Sequence, residues 1–189
     1  MLRRRHGLAL VACAVLGVPA SSASAEGQLC LNDFEKQVEN DYSAVGSLLP
    51  HQAHDLLKAG ADVLLLDVRN ADEFQLSHLP GAVWVDPDTA IDQFMDRFGS
   101  QIAGRQVLLY CSVGVRSSRL GERIRSAAAA RGATGVYNIR GGIFAWHNYG
   151  KRLVMAKGQT ELVHPYSTRW SRYLDFPNYS SFGARSRWW

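Results

Sequence analysis

The residues best suited to chemistry sit together in the second half of the chain. Cys111 follows the apolar run Val107-Leu108-Leu109-Tyr110 and precedes Ser112-Val113-Gly114-Val115-Arg116. A helical pattern begins at Arg116, so the cysteine faces a helix N-terminus. The unpaired amides and the dipole at such an end favour a thiolate over a thiol. Gly114 permits the tight curl that turns successive N–H groups toward one point. Arg116 adds a fixed positive charge. Together these residues suit a reactive thiolate, or an anion held beside the sulfur. A cysteine that merely follows a strand is more often small core filling. The glycine, the arginine and the helix start that follow it point instead to function.

The elements around this loop are legible as an alternation. Residues 50–59 read as a helix stopped by Gly60, and Val63-Leu64-Leu65-Leu66 as a strand buried on both faces. Asn70 opens a short helix over 70–77, with Asp72 and Glu73 in its first turn. Ala82-Val83-Trp84-Val85 is a further strand. Ile91, Phe94, Met95 and Phe98 fall on one helical face closed by Gly99. After the strand before Cys111, the longest helix covers 116–131, with Leu120, Ile124, Ala127 and Ala128 on one side. A strand over 136–139 and a helix over 143–149 complete the pattern. Strands alternating with helices from 45 to 150 predict an α/β domain with a mostly parallel sheet covered on both faces. Cys111 then lies at the carboxyl end of a parallel strand, where open α/β sheets bind ligands.

The ends of the chain differ in character. Arg3, Arg4 and Arg5 precede an apolar run over 8–18, then Pro19 and Ala23-Ser24-Ala25. Basic start, short apolar stretch and small-residue site describe a secretory signal peptide over 1–25, cut after Ala25, and a periplasmic or secreted protein. The run is shorter than the about 20 residues that span a bilayer. Leu10-Val11-Ala12-Cys13 resembles a lipobox but lies very early. Residues 26–44 form an N-terminal extension in which Phe34, Val38 and Tyr42 recur at helical spacing. Residues 151–189 form a C-terminal extension, and its part from 166 onward holds eight of the 19 aromatic side chains. The chain has 189 residues and a net charge of +4. Loss of Arg3, Arg4 and Arg5 with the leader reduces that to +1. Charge therefore makes no case for nucleic acid, and three cysteines are too few for a disulfide scaffold.

Three ordered motifs resemble the single-domain rhodanese-like sulfurtransferases. They are Leu66-Asp67-Val68-Arg69 with Glu73-Phe74 and His78-Leu79-Pro80-Gly81-Ala82; the loop of residues 111–116; and Gly141-Gly142-Ile143-Phe144-Ala145-Trp146. The resemblance covers residues 45–150 and implies a central five-stranded sheet. It implies that Cys111 accepts a sulfane sulfur as a persulfide and passes it to a thiol or cyanide acceptor, with no cofactor. Ser112, Val113, Gly114, Val115 and Arg116 would cradle the persulfide, and Asp67 and Arg69 would buttress the loop. Thiosulfate or another sulfane donor would supply the sulfur. Phosphatases and arsenate reductases on this scaffold have one more residue between cysteine and arginine, which favours sulfur transfer here. Family members that use thiosulfate often carry a basic residue after the cysteine; this chain has Ser112 there, so the resemblance does not single out thiosulfate.

Other signals are weaker. His78 reads as a turn or packing residue. His51 and His54 have no further metal ligands near them in sequence. Cys30 could pair with Cys111, resolve its persulfide or simply pack. The aromatic extension could lie across the domain, with Trp170, Tyr173 and Phe176 packed back, or meet a protein partner. A binding module working through that extension is the alternative to an enzyme.

Overall fold

The computed structural model describes residues 22–183, with side chains from Leu31 onward. The leader up to residue 21 with Cys13, the side chain of Cys30, and Trp188-Trp189 lie outside the described residues.

Five strands form one sheet: β1 (Gly46–Leu48), β2 (Val63–Asp67), β3 (Val83–Trp84), β4 (Gln106–Tyr110) and β5 (Gly135–Ile139). Their order is β1-β5-β4-β2-β3, and every pairing is parallel. Parallel strands need crossovers, and helices supply them. The helices are α1 (Ser22–Asp41), α2 (Pro50–Lys58), α3 (Ala71–Leu76), α4 (Ile91–Phe98), α5 (Val115–Ala130) and α6 (Gly142–Asn148).

The period-2 geometry of the central strands divides the core in two. Leu65, Leu108 and Tyr110 face one layer with Ala53 of α2, Ile143, Phe144 and Trp146 of α6, and Leu31 of α1. Leu64, Leu66, Val107 and Leu109 face the other, against Phe94 and Phe98 of α4 and Leu120, Ile124 and Ala128 of α5. Cys111 continues this second row. Helices thus cover both faces, which is why β2 and β4 read as unbroken apolar runs. Ile91 departs from expectation: it stands 42% exposed at the start of α4, while Phe94, Met95 and Phe98 carry the burial.

Within the described residues both extensions carry defined elements. α1 starts at Ser22 and docks through Glu35 and Glu39, which pair with Arg140 at 2.9 and 3.3 Å. After α6 comes a two-stranded antiparallel hairpin, β6 (Leu153–Met155) and β7 (Gly158–Thr160), which the alternating pattern did not reveal. The remainder runs back over the domain with two short 3-10 turns. Val163, Tyr173 and Leu174 join the first core layer. Trp170 meets Phe34 of α1 edge-on at 5.2 Å. Phe176 does not bury: it is 49% exposed. No helix among the described residues is long and apolar enough to cross a membrane.

Candidate active site

Cys111 lies one residue past β4 and is buried. The loop after it turns at Gly114, which adopts φ +103° and caps α5. A side chain there would meet strain and the Asn138 amide, so glycine suits the position. The turn aims the Gly114 N–H at the sulfur, with N···Sγ 3.1 Å. Burial pushes the Cys111 thiol up, but the Arg116 guanidinium, the Ser117 hydroxyl and N–H, and the Val113 N–H outweigh it. The thiol ends below its ordinary range. Ser117 is fully buried, and Asn138 Oδ1, 2.7 Å from its Oγ, competes with the sulfur for the one hydroxyl proton. Sequence reasoning missed Ser117; its place in the first turn of α5, beside the loop, is the signal that could have found it.

The loop is clamped from two sides. On one side stands Glu73 of α3, 1% exposed. Its carboxylate accepts from Arg116 Nη1 at 2.8 Å and Nη2 at 3.1 Å, from Ser112 Oγ at 2.9 Å, and from the Asn70 N–H at 3.1 Å. Arg116 Nη2 also donates to Ser112 Oγ at 2.9 Å. Burial raises the Glu73 carboxyl, but the Arg116 pair, the Arg69 charge and the Asn70 N–H together hold it below its ordinary value. Glu73 thus has two duties that one carboxylate can serve at once, capping α3 and fixing the arginine of the loop.

On the other side, the first turn of α6 seats on the loop backbone. Ile143 N–H donates to the Cys111 carbonyl at 2.9 Å and Phe144 N–H to the Ser112 carbonyl at 3.1 Å. With these carbonyls held outward, the loop N–H groups are free to face the sulfur. Contact this close requires Gly142.

Asp67 and Arg69 are brought near the loop but hold something else. The pair is fully buried, with Arg69 Nη2 to Asp67 Oδ2 at 2.6 Å. Its other bonds go to the Ser77 carbonyl and to the Tyr110 hydroxyl, which in turn accepts the Leu79 N–H. No described hydrogen bond of either residue reaches 111–116. The pair braces β4, through Tyr110 next to Cys111, against the turn at 77–79, and the Arg69 charge acts on Glu73, the carboxylate that touches the loop. His78 stacks on Phe74 at 4.0 Å, a packing role.

A cavity of about 170 Å³ opens over the sulfur. Val113, Val115 and Arg116 line it from the loop, and Tyr166 and Trp170 from the C-terminal extension. The Arg116 guanidinium lies 4.9 Å from the centre of the Tyr166 ring. Among the described residues no group of three or more His, Cys, Asp or Glu side chains is placed to hold a metal. His51 lies beside Tyr149, and His54 beside Trp146.

A parallel α/β sheet with a cysteine loop at a strand's carboxyl end, wrapped onto a helix N-terminus, defines a class of small anion- or sulfur-handling domains. The rhodanese-like domain family matches residues 49–149, and the chain belongs to that family. It is 35% identical over 111 residues to a tRNA uridine(34) hydroxylase of Rhodococcus erythropolis, covering 56% of this chain and 37% of that protein. It is 31% identical over 109 residues to the probable adenylyltransferase/sulfurtransferase MoeZ of Mycobacterium tuberculosis, covering 55% of this chain and 25% of that one. The chain thus spans between a quarter and two fifths of the length of these relatives. The thiosulfate sulfurtransferase of Pseudomonas aeruginosa shares the fold, with TM-score 0.51 and 23% identity, covering 80% of this chain and 26% of that one.

Proposed function

We propose that this chain is an exported sulfurtransferase that carries a sulfane sulfur on Cys111. The observation that carries the reading is the Cys111 thiol, held below its ordinary range in a loop whose Gly114 N–H points at Sγ from 3.1 Å. The thiolate attacks the sulfane sulfur of a donor. The Sγ–S bond forms as the donor's bond to that sulfur breaks, and the leaving group departs with the electron pair. A thiol or cyanide then attacks the outer sulfur and returns the Cys111 thiolate. The loop amides of residues 112–116 stabilise the persulfide anion between the two steps, and Arg116 supplies charge. The MoeZ relative, named in part as a sulfurtransferase, supports this chemistry.

The test is intact mass after incubation with thiosulfate or inorganic polysulfide, followed by thiocyanate release on adding cyanide. Wild type is expected to gain one sulfur atom and release thiocyanate; Cys111→Ser is expected to do neither. A wild type that gains no sulfur from either donor, or a Cys111→Ser variant that releases thiocyanate at the wild-type rate, overturns the reading.

Export rests on the first 25 residues. A cut after Ala25 leaves the part of α1 that carries Leu31, Glu35 and Val38, so the docked helix survives processing. The protein recovered from the periplasm or medium is expected to begin at Glu26. Recovery of uncut chain from the cytosolic fraction alone would exclude export.

A further inference from the structure

The C-terminal extension places two aromatic rings at the mouth of the sulfur site, and nothing in the loop chemistry requires them. Both are held firmly. Trp170 is gripped by Phe34 at 5.2 Å and by Tyr173 at 5.2 Å. Tyr166 is the one described non-glycine residue with positive φ, at +63°. That backbone is uncommon for a bulky side chain, and surrounding structure must hold it. The Tyr166 N–H donates to His164 Nδ1 at 3.1 Å, and the ring lies against Arg116. An exposed aromatic kept in a strained conformation over a reactive centre is placed there by the fold.

The charge balance of the cavity agrees. Arg116 is its one cationic lining residue, and both Nη atoms already engage Glu73. A dianionic donor therefore finds one guanidinium already shared with a buried carboxylate. Ser112 also lines the cavity, but its hydroxyl is engaged by Glu73 and Arg116, and beyond Cys111 itself the rest of the wall is Val113, Val115, Tyr166 and Trp170. At about 170 Å³ the cavity is smaller than the roughly 300–1,000 Å³ of pockets that enclose drug-sized ligands.

We propose that Tyr166 and Trp170 determine donor specificity, and that the site takes its sulfur from small organic hydropersulfides whose uncharged carbon group rests on these rings. The inference rests on the sulfur-transfer reading above. In the step, the Cys111 thiolate attacks the outer sulfur of R–S–SH. The Sγ–S bond forms, the bond between the donor's two sulfurs breaks, and RS⁻ leaves with the electron pair. The proton stays on the transferred sulfur, or passes to solvent when the persulfide ionises, and no external oxidant or reductant is consumed.

The test compares kcat/KM for loading Cys111 from benzyl hydropersulfide and from thiosulfate, read by cold cyanolysis, in wild type, Tyr166→Ala, Trp170→Ala and Trp170→Phe. The ratio of benzyl hydropersulfide to thiosulfate is expected to fall about tenfold in each alanine variant, the size of one lost aromatic contact, and through KM. Trp170→Phe keeps a ring and is expected to retain most of the ratio. Tyr166 is half exposed, so its alanine variant is a test in which folding is not at issue. A ratio that stays at the wild-type value in Tyr166→Ala and Trp170→Ala overturns the inference while leaving sulfur transfer intact. A wild type loaded by neither donor overturns the sulfur-transfer reading itself.

Discussion

Gly142→Ala is expected to destabilise the domain by about 2–5 kcal/mol and to cost sulfur transfer about a hundredfold. Gly142 sits at φ +56°, where a Cβ costs about 1–2 kcal/mol. That Cβ would also run into the Cys111 carbonyl oxygen and stand 2.8 Å from the Ser112 carbonyl. Neither neighbour is a flexible side-chain end; both are backbone, and relief requires α6 and the loop to separate. Such overpacking adds about 1–3 kcal/mol. Separation also strains the two hydrogen bonds that hold the loop carbonyls outward. Displacing the loop by about 1 Å turns its N–H groups from the sulfur, and misplacement of that size costs about 10²-fold in rate. Thermal unfolding is expected to shift down by ~10 °C, at roughly 2–4 °C per kcal/mol for a chain of this size. Gly150→Ala isolates the backbone share: φ is +63°, but nothing lies within 4 Å of the added Cβ. It is expected to lose only about 1–2 kcal/mol and to keep its transfer rate. Equal losses in the two variants would show that the close approach to the loop carries no weight.

Glu73→Ala is expected to cost about 3–5 kcal/mol, because it leaves the Arg116 cation and the Ser112 hydroxyl without their buried acceptor. Urea unfolding measures the loss, and pH separates charge from packing. The folded carboxyl lies below its ordinary value of 4.5, so the unfolded chain binds the proton more readily. The contribution is therefore fully present above pH 4.5 and is lost as pH falls through the depressed folded value. Wild type is expected to lose stability over that acid range more steeply than Glu73→Gln, whose amide does not titrate. Parallel curves for the two proteins would show that Glu73 does not act as a carboxylate. Loss of the clamp is also expected to slow iodoacetamide capture of Cys111 at neutral pH, since a freed Arg116 no longer holds its place beside the sulfur.

These two residues were unequally legible. The Gly141-Gly142 pair belonged to a recognised motif, yet its sequence context shows only a turn before a helix. That Gly142 abuts the carbonyl of Cys111 depends on how β5 returns beside β4. Glu73 was visible as a first-turn acid of α3, which it is. Its larger duty pairs it with an arginine 43 residues away, and no local pattern encodes that. Asp67 and Arg69 show the reverse case, a pair visible in sequence whose contacts are set by the sheet. Their closeness in the first motif suggests support for the loop, and alternation along β2 turns Asp67 toward Tyr110, beside Cys111, while Arg69 reaches the Ser77 carbonyl.

The sequence by itself determined the fold class, the parallel sheet and the place of Cys111 at a strand end. Each follows from short-range signals: apolar runs, glycine stops, and a cysteine, glycine and arginine spaced to curl onto a helix start. Only the tertiary structure decided that α6 holds the loop, that Glu73 clamps it, and that Tyr166 and Trp170 wall the cavity above it. The C-terminal aromatics have no regular period, so nothing in their spacing announces a face. Tyr166 and Trp170 find their places because burying Tyr173 and Leu174 against the first core layer draws that part of the extension across the sulfur site.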